Sequence, residues 1–430
     1  MKKNYLFIIA TFLSISFAQA QLTLDGQFRP RTEYRNGFQT LIPDAADPGF
    51  AINTRIRLNA GFATETYKLF VSLQDLIVWG ENPQIIPVDN NDSFSVFEAW
   101  AELKLGEKWS TKIGRQILSY DDQRFFGGLD WAQQGRNHDL AILKYKSENF
   151  VLDLGFAFNQ DFDGNGGPLF GFQNVSTAYP AGNPFQYKSM QYGYAKRTWT
   201  NISTSLLLVN YSHQNFDGNG NADGVNSLFT AGTHINYKKG KIGVAANVFI
   251  QSGEFFNGAN DVSGAYLLGL DLSYKTSDKV KLGLGFEIIS GDDTSTTDKT
   301  EAFLPTFGTN HKFNGFMDYF YVGNHINTIG LVDIHASANF NLGKKSSLMM
   351  KVLNFSGQQD LPSGESSLGT EIDLVYSKSF KGFALKIGYS QLFASDGMYE
   401  LKNVAEDVAS STQNWAWAML IIKPKFLRTK

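Results

Sequence analysis

The sequence predicts an all-β fold, a closed transmembrane antiparallel β-barrel of about 18 strands with short periplasmic turns and long extracellular loops. Three observations predict it. A leader at the N-terminus is followed by no run apolar enough for a membrane helix. Side-chain character alternates every second residue in recurrent segments. The links between those segments alternate between long and short.

The leader is residues 1–20. Met1, Lys2 and Lys3 give a positive start, Tyr5 to Phe17 an apolar run, and Ala18-Gln19-Ala20 a small-residue cleavage site. Cleavage after Ala20 makes Gln21 the first residue of one barrel domain, 21–430. No later run reaches the roughly 18 apolar residues of a membrane helix. Composition agrees with a barrel and with little else. Forty-one glycines, 14% aromatic residues and no cysteine exclude a disulfide-stapled secreted domain. A mean hydropathy of -0.22 excludes a helical membrane protein, whereas one greasy and one wet face average to this value. The net charge of -3 excludes no partner by itself.

The alternation is clearest early. In 22–35, Leu22, Leu24, Phe28, Thr32 and Tyr34 take one face, and Asp25, Gln27, Arg29, Arg31, Glu33 and Arg35 the other. In 50–63, Ile52, Ile56, Leu58 and Phe62 oppose Asn53, Arg55, Arg57 and Asn59. Further strands are expected near 67–79, 94–105, 109–119, 137–146, 150–159, 187–198, 203–212, 228–238 and 242–252. The series ends with 264–275, 280–290, 328–340, 348–355, 367–377, 383–392 and 414–426. Segments 94–105 and 109–119 do not sort cleanly into faces, and 414–426 is apolar on both. Short links such as Thr64-Glu65-Thr66 and Lys239-Gly240-Lys241 alternate with long ones such as 80–93, 120–136 and 291–327. An even strand number puts both termini on the short-turn, periplasmic side. Aromatics beside the short turns (Phe62, Tyr67, Trp109, Tyr145, Phe150, Tyr237, Tyr274, Phe340, Tyr376, Phe383) fit a girdle at the lipid headgroups.

A barrel of this size encloses an aqueous lumen, so function lies in its lining. Arg29, Arg31, Arg35, Arg55 and Arg57 point inward with Asp25 and Glu33 beside them, and Lys144 and Lys146 join from 137–146. Stacked cations attract anions and offer paired donors to carboxylates. The plainer alternative is that these arginines and acids neutralise one another and stiffen the wall. Asp271, Glu287, Asp333, Glu371 and Asp373 also point inward, which polarises the lumen between basic and acidic halves.

The most distinctive stretch runs Gly114-Arg115-Gln116, Tyr120-Asp121-Asp122-Gln123-Arg124-Phe125-Phe126-Gly127-Gly128-Leu129-Asp130-Trp131, then Arg136-Asn137-His138-Asp139. With Phe28-Arg29-Pro30-Arg31 and Asn53-Thr54-Arg55-Ile56-Arg57-Leu58, it resembles the alginate export porin family. The motifs cover the first third of the chain beyond the leader. The resemblance implies an arginine-lined outer-membrane channel that conducts an acidic polysaccharide. It implies Arg55, Arg57, Arg115, Arg124 and Arg136 at the constriction, with Asp122 as a lining acid. Alternatively, 120–136 folds into the barrel as a plug whose charges hold the loop; the two roles can coexist. The acidic second half argues for a broader range of solutes than alginate.

The expected partners are outer-membrane lipid, an anionic oligo- or polysaccharide or another small hydrophilic solute, and periplasmic export partners, with no nucleic acid. No cofactor or metal is expected: Asp161–Gly166 and Asp217–Asp223 lack the calcium-loop glycine and distal glutamate and read as loop turns. Rival readings are a general or nutrient-uptake porin, a structural anchor and a barrel enzyme. Asp333, His335 and Ser337 share a face, but the lumen face, away from lipid substrate; an enzyme is not expected.

Overall fold

The computed structural model describes residues 20–85, 93–160, 179, 183–258, 260–293, 295–326 and 328–429. The leader up to residue 19 and the Asp161–Gly166 turn lie outside them. The first strands are β1 (Gln21–Asn36), β2 (Gly49–Ala63), β3 (Tyr67–Val78), β4 (Ser95–Lys104), β5 (Trp109–Gln116), β6 (His138–Lys146) and β7 (Phe150–Phe158). Next come β8 (Ser189–Thr198), β9 (Ile202–Phe216), β10 (Ala222–Lys239), β11 (Ile242–Glu254), β12 (Asp261–Lys275) and β13 (Val280–Ile289). After a two-residue β14 (Lys299–Thr300) follow β15 (Leu331–Gly343), β16 (Ser346–Ser356), β17 (Ser367–Ser379), β18 (Phe383–Ala394), β19 (Thr412–Ile422) and β20 (Lys425–Arg428). A short helix, α1 (Asp396–Lys402), sits in the loop before β19.

Consecutive strands pair antiparallel, and β1 pairs with both β2 and β19, so the sheet closes on itself. Leaving out β14 and β20, the wall has eighteen strands among the described residues, as the link rhythm predicts. β14 is a parallel addition to β12 inside a loop. β20 resumes the last strand beyond Pro424, pairing with Thr23–Asp25 while Gly26 N–H donates to the Pro424 carbonyl at 3.0 Å. Closure leaves no edge strand among the described residues, and so none of the unpaired backbone groups that a bilayer would not tolerate.

The two faces separate as the period-2 pattern requires. Outward side chains such as Ile56, Leu69, Leu154, Phe156, Leu206, Leu284 and Ile334 are exposed on the belt that meets lipid. At the short-turn rim the Trp109 and Tyr145 rings pack at 4.9 Å and those of Phe62 and Tyr67 at 6.0 Å, both pairs tilted, where the girdle is expected.

The ambiguous segments have local causes. The β3–β4 register shifts between Ser72 and Leu73, which turns Phe97 inward, where it is 3% exposed. In β5, Gly114 takes φ +120°, and a Cβ there would lie 2.2 Å from the Ala99 carbonyl oxygen. β19 is apolar on both faces because Trp415, Trp417 and Met419 point into the barrel and are buried there. The Trp417 ring lies flat across Gly388 of β18, occupying the space a Cβ would need. This barrel has an internal core, and loops supply its other half.

Candidate functional site

The site is built where two long loops fold into the lumen and meet its charged wall. Arg29 of β1 stands directly across from Arg55 of β2. Two adjacent guanidinium groups repel unless an anion or acceptors lie between them. The loop between β5 and β6 supplies both. Asp130 Oδ1 lies 2.6 Å from Arg55 Nη2, 3.6 Å from Arg29 Nη1 and 3.9 Å from Arg57 Nη1. Arg29 also donates to the Asp130 carbonyl at 2.6 Å and to Gln133 Oε1 at 2.6 and 3.0 Å. Arg55 donates to the Gln133 carbonyl at 3.2 Å, and Arg31 to the Trp131 carbonyl at 2.8 Å while lying over the Trp131 ring. The Gln133 amide reaches Asn53 on β2.

Glu33 completes this wall. Its carboxylate accepts from Arg31 at 2.8 Å, Arg35 at 2.9 and 3.1 Å, Asn53 at 3.2 Å and the Trp415 indole at 3.2 Å. Arg57 donates to Gln74 at 2.7 Å and stacks on Phe97 at 3.6 Å. Arg29, Arg31 and Arg55 are therefore buried beneath the loop they hold, and Arg35 is half-exposed. The Asp130 side chain remains 73% exposed, so water reaches the arginine cluster through it.

The second contact lies on the other side of the loop. Arg124 makes a bidentate pair with Glu287 of β13 and donates to Asn310 at 2.7 Å and Asn314 at 3.1 Å. Asn310 and Asn314 belong to the loop between β13 and β15, which also enters the lumen. The two loops share backbone bonds, Gly127 N–H to the Phe307 carbonyl at 2.8 Å and Thr309 N–H to the Gln123 carbonyl at 3.0 Å. Phe126 stacks on Phe307 at 5.6 Å, and Trp131 on His311 at 4.6 Å. Further anchors are Asp121, which accepts from Tyr194, Lys196 and Ser205, and Asp122, which accepts from Asn247 at 2.7 Å. Arg136 donates to the Gly308 carbonyl at 3.0 Å. Asp121, Gln123 and Leu129 take positive φ, a strain of about 1 kcal/mol or more for a residue with a Cβ. These many anchors hold the loop in that shape.

The acidic wall also faces the second loop. Glu371 accepts from Met317 N–H at 2.9 Å, and Asp373 accepts from Ser390. Above the plug the β13–β15 loop meets the loops after β1 and β18. Tyr319 Oη donates to the carbonyls of Gly37 and Thr40, and Lys402 of α1 donates to the Tyr319 carbonyl at 2.6 Å. Burial pushes the Lys402 ammonium down to about 8. Burial, then the Lys402 charge, pushes His325 down to about 4, with Nε2 against the Gly330 carbonyl.

Arg115 departs from the expected constriction. It alternates with Ile113 on the outward face of β5 and pairs at 2.8 Å with Asp139, its cross-strand neighbour on β6. The outward orientation follows from strand parity, which the loop motif around Arg115 does not convey. Lys144 faces inward, 3.6 Å from Asp153. The inward fold of 120–136 was one of the two expected roles, but its anchor Gln133 was not singled out, and Phe307, Asn310 and Asn314 of the second loop were not foreseen, because no periodicity marks a loop that turns inward. Asp217 accepts from the backbone of Asn219 and Asn221, which is the expected turn.

Comparison with solved structures gives the same architecture at low identity. OccAB4 of Acinetobacter baumannii matches 95% of this chain and 99% of its own at 13% identity and a TM-score of 0.61. The outer membrane protein OpdK of Pseudomonas aeruginosa does so over 95% and 99% at 12% identity and 0.62. OccK2 (OpdF) of Pseudomonas aeruginosa, solved in complex with glucuronate, matches over 94% and 97% at 10% identity and 0.62. No curated protein matches the sequence significantly. The family model described as alginate export matches residues 20–404. With a closed barrel, a polar lumen and this match over nearly its whole length, the chain belongs to the alginate export family and is an outer-membrane channel for hydrophilic solutes.

Proposed function

We propose that the channel passes acidic sugars or sugar-like anions, with both termini in the periplasm and with passage rather than catalysis as its role. The observation that carries this reading is the water-exposed Asp130 carboxylate held among Arg29, Arg55 and Arg57. An aqueous region beside fixed cations favours anions, and donors arranged for one carboxylate suit another. The family description and the glucuronate bound to OccK2 point to the same class of solute. The even strand number supports the placement of the termini. Against catalysis, His335 has Nδ1 at 3.1 Å from Asp333 and Nε2 at 2.9 Å from Asp271, leaving neither nitrogen to activate Ser337.

The test is a planar bilayer. Reversal potentials in a salt gradient should show anion preference, and oligouronates should block the current. A cation-selective or non-conducting protein overturns the reading. Uptake of small carboxylates is a second reading with the same site, favoured by the structure of OpdK with vanillate; block by monomeric acids but not by oligouronates would select it.

A further inference from the structure

Two adjoining cavities run along one side of the lumen from the short turns to the plug. The first, of about 570 Å3, is bounded by the turns at 240–241 and 277–279 and by inward residues including Lys238, Lys281 and Ser337. The second, of about 260 Å3, is bounded by Asp122, Lys312, Phe313, His335 and Lys351 at the plug. Ala245 and Asp271 border both.

The charges in this recess are unequally engaged. Asp122 is held by Asn247, and Asp271 accepts from His335. Lys312 gives one N–H to the Asp122 carbonyl at 2.8 Å, and Lys351 one to the Phe313 carbonyl at 2.9 Å. Each ammonium has three donors, so two remain on each. Lys238 and Lys281 continue the inward series of β10 and β13, and among the described residues no ion pair engages either. The short-turn end of the recess therefore offers cations, its Asp278 being paired with Lys275. At the plug end Lys312 and Lys351 share the space with Asp122, Asp271, Glu287 and Asp333, of which Glu287 pairs with Arg124 and the other two wall acids, Asp271 and Asp333, flank His335.

We propose that Lys238, Lys281, Lys312 and Lys351 form a track of carboxylate subsites for an acidic sugar, leading from the short-turn mouth to the plug. The proposal rests on the reading of the channel as one for acidic solutes, and adds to the arginines at the plug a set of lysine sites on the way to it. An ammonium is a hydrated point charge on a flexible stem, whereas a guanidinium grips a carboxylate in a fixed fork. A series of weak, separate sites lets a solute enter and leave.

The test uses the full-length protein in planar bilayers with oligogalacturonate added on the short-turn side. Lys238→Gln with Lys281→Gln should raise the blocking concentration about threefold, the effect of losing two exposed charge contacts. Lys312→Gln with Lys351→Gln should raise it at least as much; the first pair holds no loop and so reads the track without disturbing the plug. Block at the wild-type concentration in both pairs, in a channel that remains anion-selective, overturns the track. A wild-type channel without anion preference overturns the underlying functional reading instead.

Discussion

Arg124 and Glu287 meet in two parallel hydrogen bonds, Nε to Oε2 at 2.7 Å and Nη2 to Oε1 at 2.6 Å, with both residues buried. One comes from a loop and the other from the barrel wall, so this pair fixes how far the loop descends. Glu287→Ala leaves the guanidinium buried without its partner, at a cost of about 3–5 kcal/mol. The expected outcome is a loosened plug in an intact barrel. Single-channel conductance should rise and become noisy, while heat-resistant migration on gels is retained.

Asp130 has a different role, since it neutralises arginines that the barrel has already placed together. Asp130→Asn keeps the side chain's shape and removes its charge. The expected outcome is stronger anion selectivity, with the reversal potential in a salt gradient moving towards the anion limit. An unchanged reversal potential would mean the arginine charges do not reach the permeation path.

Arg115 provides the contrast. Its pair with Asp139 lies on the outer face, so Arg115→Gln should leave conductance and ion selectivity unchanged. Stability should change by no more than about 1 kcal/mol, as for other exposed pairs. Both are read from bilayer currents and thermal melting of the same preparation.

Acidity should act first on the outer loops. His325 has a folded value near 4 against 6.5 when free, so the released loop binds more protons between those limits. Docking therefore weakens as pH falls from about 6.5 towards 4. Protonation would also add an N–H at Nδ1, a buried atom with no hydrogen-bond partner among the described residues. For Lys402, with about 8 against 10.5, docking strengthens as pH rises through that interval. Hydrogen exchange of residues 318–326 and 396–404, corrected for intrinsic rates, should be fastest at the acid end; a flat profile would contradict both shifts.

The wall was legible in the sequence because one rule governs it. Every second residue faces lipid, so Leu154 and Phe156 announce a strand and Asp153 its wet side. The plug follows no such rule. Arg29 and Arg55 could be placed inward by parity, but parity does not say whether an inward arginine meets solute or a loop carbonyl. Trp415 and Trp417 blurred the pattern because the lumen is partly a dry core. The loop from 301 to 326 carried no motif; its place follows from complementarity to Arg124, Glu371 and Phe126, visible only when the barrel has brought them together.

Arg124 and Asn310, which join the two loops, are 186 positions apart in the chain. Contacts between such distant segments form late, after the intervening strands have been laid down and paired. The seam that closes the ring, with Phe28 opposite Ile422, joins segments farther apart still. Wall and stopper are therefore both completed only by the far end of the chain, and shortening that end would cost the pore its closure as well as the support beneath its obstruction.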